Sequence, residues 1–132
     1  FVKSINHIDF YNDSKSTNIT STQIALASFD RPTVLLMGGL DRGHSFDELT
    51  DYLKNVKLIV AFGETKARIN DFASEHGIPC QAFNALSEAT KAAYRSSSPG
   101  YVILLSPACA SWDQYDNFET RGNMFKKYVG EL

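Results

Sequence analysis

Cysteine is nearly absent. The 132-residue chain holds two, Cys80 and Cys109, too few for a disulfide framework, and its start does not resemble a signal peptide. A reducing, cytoplasmic home is therefore expected. There is no excess of positive charge: 13 Lys and Arg stand against 15 Asp and Glu, a formal net charge of -2. That argues against a nucleic-acid surface, which needs a clustered basic face to neutralise phosphates. No apolar run approaches the roughly 20 residues of a membrane span. Neither GxGxxG nor the Walker-type GxxxxGK[ST] occurs, so the chain carries no standard triphosphate cradle of its own. His7, His44 and His76 are scattered singly and lack metal-ligand spacing, so no metal site is expected from this chain.

What is present is an ordinary globular composition, 43% hydrophobic and 21% charged, at a length suited to one domain with a buried core. Short apolar runs alternate with helix-period segments. Residues 8–11, 33–37, 57–62 and 101–105 are the runs, with a weaker one at 78–82. Val34-Leu35-Leu36-Met37 and Val102-Ile103-Leu104-Leu105 are apolar without interruption, as in parallel strands covered on both faces. Between them, Phe46/Leu49/Leu53, Ile69/Phe72/Ala73/His76 and Leu86/Ala89/Thr90/Ala93 recur at helical spacing. Ser45 with Glu48 reads as a capping box, and Gly77 before Pro79 as a helix stop. Further helices are expected over about residues 20–29 and 116–129. The fold class is α/β: a three-layer, Rossmann-like domain with a mostly parallel sheet and helices on both faces.

In such sheets ligands bind beyond the carboxyl ends of the strands. Three strand-to-helix connections there are strongly polar. NDSKSTN (residues 12–18) offers Asp13 as an acceptor, Lys15 as a cation, and the hydroxyls of Ser14, Ser16 and Thr17 near a helix start; taken alone, the stretch is better explained by helix capping, which is common with these residue types. GGLDRGH (38–44) pairs two glycines with Asp41 and Arg42. The planar fork of Arg42 suits a carboxylate, while a solvated surface pair is the plain alternative. SPACASWDQYDNF (106–118) places Ser111 and Gln114 at capping-box spacing; Ser111 could equally hold a carboxylate at a helix start. Cys109, between two alanines and with no histidine close in sequence, reads as a small buried thiol.

Together, NDSKSTN, GGLDRG and LLSPACASWDQYDNFETRG resemble the carboxyl-terminal domain of the Mur ligases, specifically the D-glutamate-adding branch. The resemblance runs from about residue 9 to the end, and the Asp-Asn-Pro-Arg motif of the diamino-acid-adding relatives is absent. It implies that residues 1–132 form one carboxyl-terminal domain of an ATP-dependent ligase. The amino-terminal and central domains, with the P-loop and magnesium ligands, would lie outside the chain. ATP and Mg2+ would serve the whole enzyme; neither is expected to bind this domain alone. The implied partners are D-glutamate, ATP and UDP-N-acetylmuramoyl-L-alanine, in a monomeric bacterial protein.

Carried over residue by residue, Asp13 and Lys15 would contact ATP, and Thr17, Arg42, Ser111 and Phe118 would hold D-glutamate. No catalytic residue falls on this chain, which is expected to be inactive alone. Three positions depart from the family pattern: Arg42 stands where lysine is commoner, Ser16 where alanine is usual, and Trp112 in place of a smaller apolar residue. The competing readings are a domain of another amino-acid ligase, such as a folylpolyglutamate synthase, and a non-enzymatic Rossmann-like binding module.

Overall fold

The alternation of apolar runs and helical segments resolves into one twisted sheet. In the computed structural model, which describes residues 1–40 and 42–132, six strands lie in the order β1-β2-β6-β3-β4-β5. They are β1 (Lys3–Ile5), β2 (Ile8–Asn12), β3 (Thr33–Gly38), β4 (Val56–Phe62), β5 (Cys80–Phe83) and β6 (Val102–Leu105). β1 is antiparallel to β2; the other pairings are parallel. The helices are α1 (Ile19–Ala27), α2 (Lys66–Glu75), α3 (Leu86–Arg95) and α4 (Phe118–Gly130), with a 3-10 helix at Asp47–Tyr52. Asp41, read from the sequence as a charged neighbour of Arg42, lies outside the described residues.

The unbroken apolar runs have the predicted cause. Alternate side chains of the central strands enter two separate cores. Leu35 and Met37 of β3, Ile59 and Ala61 of β4, and Val102 and Leu104 of β6 pack with Leu26, Leu49, Ile69 and Phe72. Val34 and Leu36, Val60 and Phe62, and Ile103 and Leu105 pack on the opposite face with Leu86, Ala89, Phe125 and Val129. α1, the 3-10 helix and α2 therefore cover one face, and α3 and α4 the other. The chain leaves β2 and β3 toward the first face and β6 toward the second. Since β6 lies between β2 and β3, the connections diverge at its carboxyl end, and a crevice opens there.

Several local details differ from the sequence reading. β1 was not anticipated: three residues long and mostly exposed, it carries no apolar signature. It joins β2 through Asn6 and His7, whose φ angles of 51° and 63° are those of a tight hairpin turn. The Phe46/Leu49/Leu53 segment is a 3-10 helix, in which residues three apart eclipse, so Phe46 and Leu49 still share the buried side. Ser45 Oγ accepts from Asp47 N at 3.1 Å, a local turn; its spacing to Glu48 is not a capping box. Nor do Ser111 and Gln114 start a helix. The Ser111 carbonyl takes the N–H groups of Gln114 and Tyr115, and α4 begins at Phe118, where Asn117 caps it by accepting from Thr120 N at 2.7 Å. His76 is exposed and caps α2 while its ring packs 4.7 Å from that of Phe72.

Leu35 is fully enclosed in a central strand. Leu35→Ala is expected to cost about 3 kcal/mol, read as a lower midpoint in urea unfolding with an unchanged slope.

Candidate functional site

At the carboxyl edge of the sheet the three polar connections are bonded to one another. In the first, Asp13 N donates to Leu105 O at 2.7 Å, Ser16 N to Asp13 O at 2.9 Å and Thr17 N to Lys15 O at 2.9 Å. This tight backbone ends at Asn18, whose side chain caps α1 by accepting from Ser21 N at 2.9 Å. The Asp13 carboxylate is fixed by two hydroxyls: Ser16 Oγ donates to it, and Ser106 Oγ does so at 3.0 Å. Asp13 is therefore oriented from both the first and the third connection.

The second connection needs its glycines. Gly38 and Gly39 adopt φ of 148° and 143°, a region that favours glycine. A Cβ at Gly38 would lie 1.9 Å from Phe62 O, and one at Gly39 would lie 2.2 Å from Ala110 O. This close approach lets Gly38 N reach Pro107 O at 3.2 Å and Leu40 N reach Ala110 O at 2.8 Å. The third connection returns to the first through Ala108, which takes φ of 61° and donates its N–H to Ser16 O at 3.0 Å. An alanine held there is strained. Asp113 reaches across to the end of β4, where its Oδ2 accepts from Glu64 N at 3.1 Å. Burial raises its carboxyl above the ordinary value.

The residue that joins all three connections is Arg121, fully enclosed within α4. Its Nε donates to Ser14 Oγ at 2.9 Å and its Nη2 to Ser14 O at 2.8 Å. Its Nη1 reaches Cys109 O at 2.9 Å and Gly38 O at 3.5 Å. Burial lowers its proton affinity, to a pKa of about 10, which leaves it charged at neutral pH. Ser14 Oγ in turn donates to Phe118 O at 2.7 Å, seating the first turn of α4. Gly122 permits the approach, since a Cβ there would lie 2.8 Å from Asn12 Nδ2. Sequence reasoning quoted Arg121 inside a motif without giving it a role. The signal was available: Arg121 and Gly122 lie on the same helical stripe as Phe125 and Val129, all buried, and an arginine on an apolar stripe must find buried partners.

Of the residues picked from sequence, Asp13, Lys15, Thr17 and Phe118 line one cavity of about 690 Å3, whose wall includes Tyr11 and Phe29 of the first face. Arg42 and Ser111 do not line it. Arg42 is exposed, with its guanidinium 5.2 Å above the Trp112 ring. Ser111 is 2% exposed. The structure also supplies Cys109 with a histidine distant in sequence: His44 Nε2 lies 4.0 Å from its Sγ and 3.1 Å from Ala108 O. Cys109 is nevertheless fully enclosed, which agrees with a packed thiol. Among the described residues, one grouping has metal-ligand proximity: the exposed Asp47, Glu75 and His76, with ligand atoms within 4.8 Å of one another. It belongs to none of the three connections. No helix among the described residues is long and apolar enough to cross a membrane.

Two substitutions test this architecture. Arg121→Met fills a similar volume but strands buried carbonyls, and is expected to cost about 3–5 kcal/mol in chemical unfolding. Asp113→Asn keeps an acceptor for Glu64 N and removes the ionisation. The carboxyl titrates near 3.8 when free and higher in the fold, so between those values the folded chain holds the extra proton and loses stability as pH rises. The Asn variant is expected to match the parent at low pH and to gain on it progressively above about pH 4, as measured by thermal unfolding across pH.

Comparison with known proteins agrees with this architecture. The family described as Mur ligase, glutamate ligase domain, matches residues 1–109. The chain is 55% identical over 123 residues to the UDP-N-acetylmuramoylalanine–D-glutamate ligase of Listeria monocytogenes, covering 93% of this chain and 27% of that protein. It is 51% identical over 133 aligned positions to the ligase of the same name from Bacillus thuringiensis, covering 100% of this chain and 30% of that protein. The chain thus spans under a third of the length of the curated relatives it matches. Among solved structures, a murein peptide ligase from Psychrobacter arcticus superposes with a TM-score of 0.66 at 14% identity, over 99% of this chain and 29% of that one. The UDP-N-acetylmuramate–alanine ligase of Thermotoga maritima does so with a TM-score of 0.57 at 15% identity, over 100% of this chain and 29% of that one; both likenesses are of fold. The chain belongs to the Mur ligase family, as a member of its glutamate ligase domain.

Proposed function

We propose that this chain is the carboxyl-terminal, D-glutamate-holding domain of an ATP-dependent ligase that extends UDP-N-acetylmuramoyl-L-alanine. Residues 1–132 form that domain; the amino-terminal and central domains, with the P-loop, belong to the rest of the protein, which works in the bacterial cytoplasm. The supporting observation is the convergence of the three connections on Arg121, which sets Asp13, Lys15, Thr17 and Phe118 around one cavity and ties the Arg42 and Ser111 loops to it through Leu40 N and Ala110 O. Relatives of more than half sequence identity carry that activity in their names.

In the reaction, the carboxylate of the L-alanine unit takes the terminal phosphoryl group of ATP, and ADP leaves. The D-glutamate amine then attacks the acyl carbon, phosphate leaves, and an amide forms. The chain's own part is positioning. Asp13, oriented by Ser16 and Ser106, is suited to accept from ribose hydroxyls. Lys15, exposed at the cavity mouth, complements phosphate charge. Thr17 offers a hydroxyl to one carboxylate of D-glutamate, Phe118 packs on its methylenes, and Arg42 takes a carboxylate by paired hydrogen bonds. The near-complete burial of Ser111 leaves its role resting on the resemblance. Neutralising both carboxylates leaves the amine as the reactive group. Among the described residues, the Asp13 carboxylate is engaged by hydroxyls and the carboxylate-histidine grouping lies away from the rim, so the magnesium ligands are assigned to the rest of the protein.

The test is phosphate release from ATP by the full-length protein, expected to require both D-glutamate and UDP-N-acetylmuramoyl-L-alanine; the 132-residue chain alone is expected to release none. In the full-length protein, Arg42→Ala should raise the D-glutamate KM about ten- to a hundredfold, the worth of charge-assisted hydrogen bonds, with the ATP KM unchanged. Release that ignores D-glutamate, or an unaltered D-glutamate KM in the variant, would overturn the reading.

A further inference from the structure

Trp112 is the only tryptophan of the chain, and it stands 65% exposed. What lies on it is Arg42, with the guanidinium carbon 5.2 Å from the ring centroid. The two residues come from different connections. They are brought together because Leu40 N donates to Ala110 O at 2.8 Å, two residues before each of them. Both partners of the stack are thus hung from one hydrogen bond at the rim.

The geometry of a guanidinium on an aromatic face has a specific consequence. The cation lies over the face of the ring, where the quadrupole attracts it. A contact with a ring face uses no strong hydrogen-bond acceptor, so an arginine held in this way keeps its N–H groups for a carboxylate to grip in bidentate fashion. A free arginine on an exposed loop must instead give up rotamer freedom when it binds. The Trp112 turn is itself anchored. Its neighbour Asp113 accepts from Glu64 N, and the Ser111 carbonyl closes the turn onto Gln114 and Tyr115, so the backbone that carries the indole is held in place.

We infer that Trp112 is a positioning residue for substrate carboxylate binding: it holds the Arg42 guanidinium pre-ordered beside the rim, ready to grip D-glutamate. The inference rests on the reading of Arg42 as a D-glutamate contact. It goes beyond that reading by giving a ligand-binding role to a side chain that need not touch the ligand.

Two measurements test it. In the 132-residue chain, whose tryptophan emission comes from Trp112 alone and is isolated from that of the tyrosines by selective excitation of the indole, Arg42→Ala is expected to shift the tryptophan spectrum, whereas the charge control Lys91→Gln on α3 leaves it unchanged. An identical spectrum in the Arg42 variant would overturn the stack. In the full-length protein, Trp112→Leu is expected to raise the D-glutamate KM about two- to fivefold, the factor that an exposed cation–π contact is worth. kcat, the ATP KM and the melting temperature should stay at parental values, and Trp112→Phe should restore most of the loss. When Arg42→Ala is already present, Trp112→Leu should add nothing further, because the partner is gone. An unchanged D-glutamate KM in Arg42→Ala alone would remove Arg42 from the site and the inference with it. A raised KM there, with a parental KM in Trp112→Leu or equal effects of Trp112→Leu in both backgrounds, would overturn the role of Trp112 while leaving Arg42 in place.

Discussion

A single buried guanidinium holds the carboxyl edge of this sheet together. Arg121 spends its donors on Ser14 of the first connection, Gly38 of the second and Cys109 of the third. Each of those segments has carbonyls that the sheet leaves unpaired at strand ends, and burying them without donors would be costly. One planar cation with several N–H groups answers all of them at once, which an ammonium, with a single nitrogen, could not do. The cavity mouth, the oriented Asp13 and the loop carrying Arg42 all inherit their positions from that joint.

The sheet itself was legible from the sequence because its signal is strong and local. Uninterrupted apolar runs at β3, β4 and β6 have no other good explanation than burial on both faces, and the structure shows two cores divided by alternation. The stripes of α2 and α3 were equally plain. What escaped was structure without an apolar cost. β1 is short and exposed, and is specified by the handedness of a turn at Asn6 and His7 rather than by burial. The Phe46 segment kept its buried side but tightened into a 3-10 helix, which hydrophobic spacing alone cannot separate from the first turns of an α-helix.

The site was legible in its polar ends and not in its frame. Asp13, Lys15 and Thr17 stand out by their chemistry at a strand end, Phe118 by the family resemblance alone, and the four share a cavity. Ser111 was chosen partly for helix-start spacing, and the helix begins seven positions later. Arg121 was invisible to a search that looked for charge in loops, because it sits inside a helix and is fully enclosed. His44 beside Cys109 was invisible for another reason: the approach is made by chain topology, and the two are 65 positions apart.

Among the described residues, the hydrogen bonds of Arg121 go to carbonyls and a hydroxyl and none to a carboxylate; Asp113 acts on it through space, inside the same partly buried edge. Mobile ions weaken attraction between exposed charges of opposite sign, but they have little purchase on an enclosed cation solvated by dipoles. Concentrated salt should therefore loosen the half-open Arg31–Asp9 pair at the amino edge of the sheet well before it disturbs the carboxyl edge. A brine that strips one rim of its electrostatic support leaves the other as it was.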